Sequence, residues 1–242
     1  FALAALANVY ETTKRHEEAI AVYERIPPGT PLETSVEIRK AINLNLLERT
    51  DEAKALLDKL LEKKPDDLRV LDAIGTILRG RKRYEEAIEY YTRAIKLIDK
   101  PEKRHWVYWY ARGTCYERIK QWPKAEADLQ KALQLNPDEP LVLNYLGYSW
   151  IDQNQNLKKG LELIEKAVAL KPDDGYIVDS LGWAHYKLGN YEEAVRFLER
   201  AVELRPEDPV LNDHLGDALW RVDRKREARY QWQHALTLNP EP

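Results

Sequence analysis

The sequence repeats itself, and the clearest copy is the stretch GYIVDSLGWAHYKLGNYEEAVRFLERAVELRP at residues 175–206. When this stretch is shifted by 34 residues, its leucine–glycine pair, two alanines and closing proline fall on identical residues. The matching pairs are Leu181 with Leu215, Gly182 with Gly216, Ala194 with Ala228, Ala201 with Ala235, and Pro206 with Pro240. A fixed period of this size indicates an array of units that pack on their neighbours.

The repeated residues suit two antiparallel helices in each unit. With a unit numbered 1 to 34, small residues recur at positions 8, 20 and 27, and large ones at 4, 7, 11 and 24. Small residues allow two helices to approach closely, and large residues fill the remaining space. Gly189-Asn190 interrupts the helical spacing and predicts a turn. Pro206 cannot continue a helix, so we expect it to end the second one.

Seven units cover the chain as a single array, and two of them are irregular. The third has extra residues around Ile98–His105, which predict a longer loop, and the fifth needs one inserted residue near Asn154–Asn156. Phe1 takes position 2 of the first unit. The expected units are 1–33, 34–67, 68–105, 106–139, 140–174, 175–208 and 209–242. This division predicts fourteen helices and no strand, because valine and isoleucine follow helical spacing rather than alternation.

These residues resemble the tetratricopeptide repeat, a helix–turn–helix unit of the same length. The resemblance extends over the whole chain and implies an all-α, right-handed solenoid superhelix. In that family the first helices line a concave groove, which positions 2, 5, 9, 12 and 13 face. The resemblance therefore implies a groove that binds a protein or peptide.

A narrower resemblance covers roughly the last hundred residues. The segments at 145–153, 172–189 and 212–229 are similar to the C-terminal repeats of bacterial envelope-associated proteins of the same family. Those proteins include lipoprotein adaptors that partner a periplasmic carboxyl-terminal-processing protease. The sequence does not decide between two localisations of this chain, the bacterial envelope and the cytoplasm.

The amino-acid composition argues against several classes of function. Charged residues make up 33% and apolar residues 44%, which is typical of a folded chain. The net charge of −3 argues against a nucleic-acid binder, and no apolar run is long enough to span a membrane. A single cysteine excludes an internal disulfide and a cysteine-rich metal site.

Aromatic residues divide into those that the repeat needs and those that it does not. Trp109, Trp150 and Trp232 occupy core positions of their repeats, whereas Trp183 and Trp220 occupy groove positions 9 and 12. We expect the groove of repeats five to seven to be lined by Asn144, Tyr148, Tyr176, Asp179, Trp183, Tyr186, Asp213, Asp217 and Trp220. Aromatic faces suit an extended chain or a cationic side chain, and carboxylates select basic groups.

Catalytic patterns are weak. The five histidines form no two-histidine zinc motif, and no phosphate loop or nucleophile elbow is present. We expect His185 to be a core histidine, Cys115 an inert buried thiol, and His214 a partner for an aspartate at the groove edge. The sequence thus predicts no enzyme, no metal site and no cofactor.

The sequence predicts a protein–protein interaction scaffold that holds an extended or helical peptide in its groove. The alternative is a structural assembly protein that associates with itself as a homo-oligomer. Reading of RNA by helical repeats would need a basic groove, and Asp179, Asp213 and Asp217 argue against it.

Overall fold

The computed structural model describes residues 2–238, and this range contains fourteen α-helices and no strand, as the sequence predicts. The helices are α1 (Ala2–Thr12), α2 (His16–Glu24), α3 (Glu33–Leu46), α4 (Thr50–Lys63), α5 (Leu68–Gly80), α6 (Tyr84–Lys96), α7 (Trp106–Arg118), α8 (Trp122–Leu135), α9 (Pro140–Asp152), α10 (Leu157–Leu170), α11 (Gly175–Lys187), α12 (Tyr191–Leu204), α13 (Pro209–Arg221) and α14 (Lys225–Thr237). Phe1 and Pro240, which the sequence assigns to the first and last repeats, lie outside the described residues.

The helices divide into two compact units at the boundary between Leu135 and Asn136. The first unit holds α1 to α8, the helices of repeats one to four, and the second holds α9 to α14, those of repeats five to seven. Within each unit every helix packs against the next one along the chain. First helices of most successive repeats also touch, such as α9 with α11 and α11 with α13. Each unit therefore has the packing of an all-α solenoid.

Glycines at position 8 allow the two helices of a repeat to approach closely. A methyl group added to Gly182 would lie 2.6 Å from Cγ of Leu198, the residue at position 24 of the same repeat. In repeat five, a methyl group on Gly147 would lie 2.7 Å from the carbonyl oxygen of Gly160. The predicted reason for small residues at this position is confirmed.

A left-handed residue ends the first helix of every repeat. It takes position 15 each time, and the seven residues are Lys14, Glu48, Lys82, Lys120, Asn154, Gly189 and Asp223. In repeat six, Gly189 has φ of 83°, and the N–H of Asn190 donates to the carbonyl of His185 at 2.9 Å. This bond closes the helix end as in a Schellman motif. The predicted insertion adds a second left-handed residue, Asn156, to the turn of repeat five.

Helix boundaries follow recognisable signals. The side chains of Asp67, Asp174 and Asp208 each accept a backbone N–H at the start of a first helix. The predicted longer loop after α6 is confirmed, and it includes a short 3₁₀ helix at Lys103–His105. Among the described residues no helix is long and apolar enough to cross a membrane.

The core contains the aromatic residues that the repeat requires. Trp109 and Trp150 are buried, and Trp232 is half-buried against the core cluster of repeats six and seven. Cys115 is fully buried, and burial raises the pKa of its thiol to about 11, which disfavours the reactive thiolate. His185 is half-buried and stacks on Phe197. The structural roles predicted for Trp109, Trp150 and Cys115 are confirmed, whereas Trp232 and His185 are only partly buried.

Candidate functional site

Three first helices carry the predicted groove residues, and all lie in the second unit. Helix α11 packs against both α9 and α13, so its side chains can reach those of either neighbour. The starts of α11 and α13 are fixed by the capping aspartates Asp174 and Asp208. Proline at the first position of α9 and of α13 is compatible with a helix start.

Helix α13 presents one exposed face. Val210, Asp213, Asp217 and Trp220 recur at spacings of three or four residues, which places them on the same side of the helix. Val210 is 54% exposed and Trp220 is 39% exposed, while Asp213 is exposed and Asp217 half-buried. We call these four residues the α13 stripe.

Two further apolar residues are exposed at the same position of neighbouring helices. Leu141 of α9 and Tyr176 of α11 take position 2, as Val210 does in α13, and Tyr176 is 49% exposed. The guanidinium of Arg205 lies 4.3 Å from the centre of the Tyr176 ring. Position 2 therefore forms an exposed apolar row along the first helices of repeats five to seven.

Asp179 is buried rather than exposed, which corrects its expected place in the groove lining. The carboxylate accepts the Nδ1–H of His214 at 3.0 Å, and Asp179 is only 6% exposed. Burial raises the pKa of Asp179, although the bond to His214 opposes this rise. A buried carboxylate is costly unless it is hydrogen-bonded. The bond to His214 therefore stabilises the packing of α11 against α13. The predicted pairing of His214 with an aspartate is confirmed.

The same contact changes the protonation of His214. Burial opposes the charged imidazolium, but the bond to Asp179 and the nearby charges of Asp179, Asp213 and Asp217 outweigh it and raise the pKa of His214. The second carboxylate oxygen of Asp179 lies 3.1 Å from the same nitrogen. The pair is therefore a mostly buried, charge-assisted hydrogen bond between two neighbouring repeats.

Trp183 belongs to an aromatic stack. Its ring lies 4.1 Å from that of His214 and 4.8 Å from that of Tyr186, and both pairs are nearly parallel. Tyr186 meets the edge of Tyr191, and the guanidinium of Arg221 lies 4.1 Å from the centre of the Tyr191 ring. Trp183 and Tyr186 thus pack against protein side chains, so less of their faces remains for a ligand.

Asp217 is held by a core tryptophan. The indole N–H of Trp232 donates to the carboxylate of Asp217 at 3.2 Å. Burial and the neighbouring charge of Asp213 raise the pKa of Asp217, and the hydrogen bond from Trp232 opposes the rise. Trp232 also packs against Trp220 at 5.5 Å between ring centres. Trp232 therefore contacts both Asp217 and Trp220 of the α13 stripe.

The residues expected from repeat five contribute less surface. Tyr148 is half-buried against the cluster of Ile151, Ile164 and Leu181, and burial raises the pKa of its hydroxyl to about 12. The side-chain oxygen of Asn144 is buried and has no hydrogen-bond partner within the described residues. Both side chains are therefore only partly exposed.

Sequence reasoning missed several residues of this surface. Leu141 and Val210 were not selected, although position 2 is a groove position and the repeat alignment would have found them. Arg221 and Tyr191 join the aromatic stack through contacts between helices. Arg221 takes groove position 13, so the repeat alignment would have selected it, whereas no spacing in the sequence indicates its contact with Tyr191. Among residues 2–238 no group of three acidic, histidine or cysteine side chains could hold a metal ion.

Family models described as "Tetratricopeptide repeat" match residues 95–240, 47–102 and 2–27. The first of these matches alone covers more than half of the chain. The chain belongs to the tetratricopeptide repeat family. Its helix pairs, position-15 turns and position-8 glycines are thus the features of tetratricopeptide repeats in this sequence.

Curated relatives are longer than this chain. A TPR repeat-containing protein of Pseudomonas aeruginosa is 31% identical over 194 residues, which cover 79% of this chain and 32% of that protein. BBSome complex member BBS4 of Bos taurus is 32% identical over 112 residues, which cover 46% of this chain and 20% of that protein. The chain therefore spans a third or less of these two relatives.

Solved structures share the tetratricopeptide fold. A tetratricopeptide repeat protein from Parabacteroides merdae matches with a TM-score of 0.74 at 17% identity, over 99% of this chain and 93% of that one. MamA from Desulfovibrio magneticus matches with a TM-score of 0.61 at 22% identity, over 72% and 96%. YrrB, described as a TPR protein with an unusual peptide-binding site, matches with a TM-score of 0.57 at 19% identity, over 76% and 93%. At these identities the likeness concerns the fold.

Proposed function

We propose that this chain is a protein-interaction scaffold that binds a segment of a partner protein on the first helices of repeats five to seven. The observation that carries the proposal is the α13 stripe with its neighbour Tyr176, where large apolar side chains and carboxylates are exposed together. Membership of the tetratricopeptide family supports it, as does the peptide-binding site named for the similar fold of YrrB.

The chemistry of the surface suits recognition rather than catalysis. Exposed tryptophan and tyrosine provide large contact areas with few rotatable bonds, and such residues often dominate binding energy. Helices fixed by capping aspartates and close packing present these side chains with little ordering cost. His214, the histidine with a raised pKa, is hydrogen-bonded to Asp179 rather than placed beside a nucleophile.

Peptide display tests the proposal without knowledge of the partner. Random peptides would be selected on the immobilised chain, and their affinities measured for the wild type, Trp220→Ala and Tyr230→Ala. Tyr230 is the matched control because it is an exposed aromatic residue on α14, outside the surface. We expect Trp220→Ala to weaken binding at least about tenfold and Tyr230→Ala to leave it unchanged. Selected peptides that bind Trp220→Ala as tightly as the wild type would contradict the proposal.

Self-association is the other function that the sequence suggests. Light scattering over a range of chain concentrations separates the two, because a homo-oligomer gains mass as concentration rises. A constant monomer mass would remove self-association and leave the scaffold proposal in place.

A further inference from the structure

The α13 stripe has an ordered chemistry along its length. Apolar Val210 stands at one end, Trp220 at the other, and Asp213 and Asp217 lie between them. With a helical rise of 1.5 Å per residue, the two ends are about 15 Å apart, which equals roughly four or five residues of extended chain. A short segment of a partner could therefore contact the whole stripe.

Neither carboxylate of the stripe forms an ion pair within the described residues. Asp213 is exposed. Asp217 accepts the neutral indole N–H of Trp232. Acidic side chains four residues apart on one helix face repel each other, so their proximity lowers helix stability. A cation placed between them would remove this repulsion.

Cations near the stripe contact groups other than its two carboxylates. His214 directs its Nδ1–H to Asp179, and the guanidinium of Arg221 lies over the ring of Tyr191. Lys225 forms an ion pair with Asp223 at 2.9 Å, and its ammonium lies 5.3 Å from the centre of the Trp220 ring. The charge of His214 acts on Asp213 and Asp217 without a hydrogen bond to either, so within the described residues both carboxylates lack an ion-pair partner.

We propose that the α13 stripe selects a partner segment in which a lysine or arginine is flanked on both sides by apolar residues. This inference rests on the proposed scaffold function and specifies its ligand. The cation would lie between Asp213 and Asp217, and the flanking apolar side chains would contact Val210 at one end and Trp220 at the other. Charge complementarity would then fix the register of the segment, and apolar contact would provide most of the affinity.

Three synthetic peptides test the inference directly. They share the same flanking leucines and differ at the central residue, which is arginine, its neutral isostere citrulline, or glutamate. Fluorescence anisotropy would give their affinities for the full chain. We expect the arginine peptide to bind about fivefold more tightly than the citrulline peptide, and the glutamate peptide to bind most weakly. Added salt should reduce the preference for arginine.

Variants of the chain assign the preference to the stripe. The double substitution Asp213→Asn/Asp217→Asn should abolish the preference for arginine over citrulline. The control, Glu162→Gln/Glu192→Gln, removes the same charge from two exposed acidic residues on other helices and should retain the preference. An arginine preference that survives the loss of both stripe carboxylates would overturn the inference.

The outcomes separate this inference from the function on which it rests. If displayed peptides require Trp220 but the arginine and citrulline peptides bind equally, the surface binds partners and the inference alone is wrong. If the glutamate peptide binds best, the charge argument is wrong in sign. If none of the designed peptides binds at about millimolar concentration and display selects nothing that Trp220→Ala affects, both proposals fail.

Discussion

At the scale of single residues, the surface contains side chains with two different roles. Asp179, His214 and Trp183 form contacts that hold α11 and α13 together, whereas Trp220 and Asp213 are exposed. Substitutions in the first group should lower the stability of the fold, and substitutions in the second group should weaken the binding of a partner. The sequence alone assigned Trp183 and Trp220 the same role.

Substitution of the two tryptophans tests this division. We expect Trp183→Ala to lower the free energy of unfolding by about 2 kcal/mol, because the variant loses its stacking on His214 and Tyr186. Trp220→Ala should change it by less than about 1 kcal/mol, and Trp109→Ala, in the core, should cost about 3–5 kcal/mol. Urea denaturation of the three variants measures these differences. Equal losses for Trp183→Ala and Trp220→Ala would contradict the division.

The Asp179–His214 pair predicts how stability depends on pH. The folded protein holds the His214 proton more tightly than the unfolded chain does, so the pair stabilises fully below about pH 6.5. This contribution is lost as pH rises through the higher pKa of the folded state. The raised pKa of Asp179 also makes stability fall as pH rises, but this loss begins at about pH 4, the ordinary pKa range of a carboxyl group.

Stability should therefore fall as pH rises above about pH 6.5 in the wild type and change less in His214→Gln. Denaturation midpoints at several pH values provide the measurement. The two proteins differ only at residue 214, so the difference between the two curves isolates His214. Parallel curves would show that the pair does not control this pH dependence.

At the scale of elements, close helix packing makes certain glycines essential. Gly147 faces the backbone of α10, where a methyl group would meet the carbonyl oxygen of Gly160. Since backbone cannot move aside as a flexible side chain can, we expect Gly147→Ala to cost about 1–3 kcal/mol.

Gly80 provides the matched control for this substitution. It ends helix α5, and no atom lies within 4 Å of the position that a methyl group would take. Alanine reduces the entropy of the unfolded chain and favours helix, so Gly80→Ala should raise stability by about 0.5–1 kcal/mol. Thermal denaturation should show a lower midpoint for Gly147→Ala and a higher midpoint for Gly80→Ala. A lower midpoint for Gly80→Ala would contradict the explanation by close packing.

At the scale of the whole molecule, contacts cluster within two units, and the chain divides between them after Leu135. In repeat proteins, the free energy of unfolding is approximately the sum of one contribution from each repeat and one from each interface between neighbouring repeats. A local substitution should therefore affect its own unit most strongly.

Hydrogen exchange of a reciprocal pair of variants measures this localisation. Gly147→Ala should accelerate amide exchange mainly in residues 136–238, and Trp109→Ala mainly in residues 2–135. Equal acceleration in both units for either variant would show instead that the chain unfolds as one cooperative body.

The sequence by itself determined the periodic features of this protein. The recurrence of Gly182 at Gly216, with the alanines and prolines around it, predicted the helix pairs, the turns and the core positions. Such features follow from local propensity and from contacts that recur in every repeat, so a single sequence displays them.

Only the tertiary structure decided which groove residues remain free. Asp179 and His214 are 35 residues apart and meet because α11 packs on α13, and this contact also places His214 against Trp183. No repeat pattern encodes the pairing, since the other repeats lack it. Val210, Asp213 and Trp220 remain exposed, although Trp232 of α14 packs against part of Trp220. Burial is decided by packing between helices rather than by position along one.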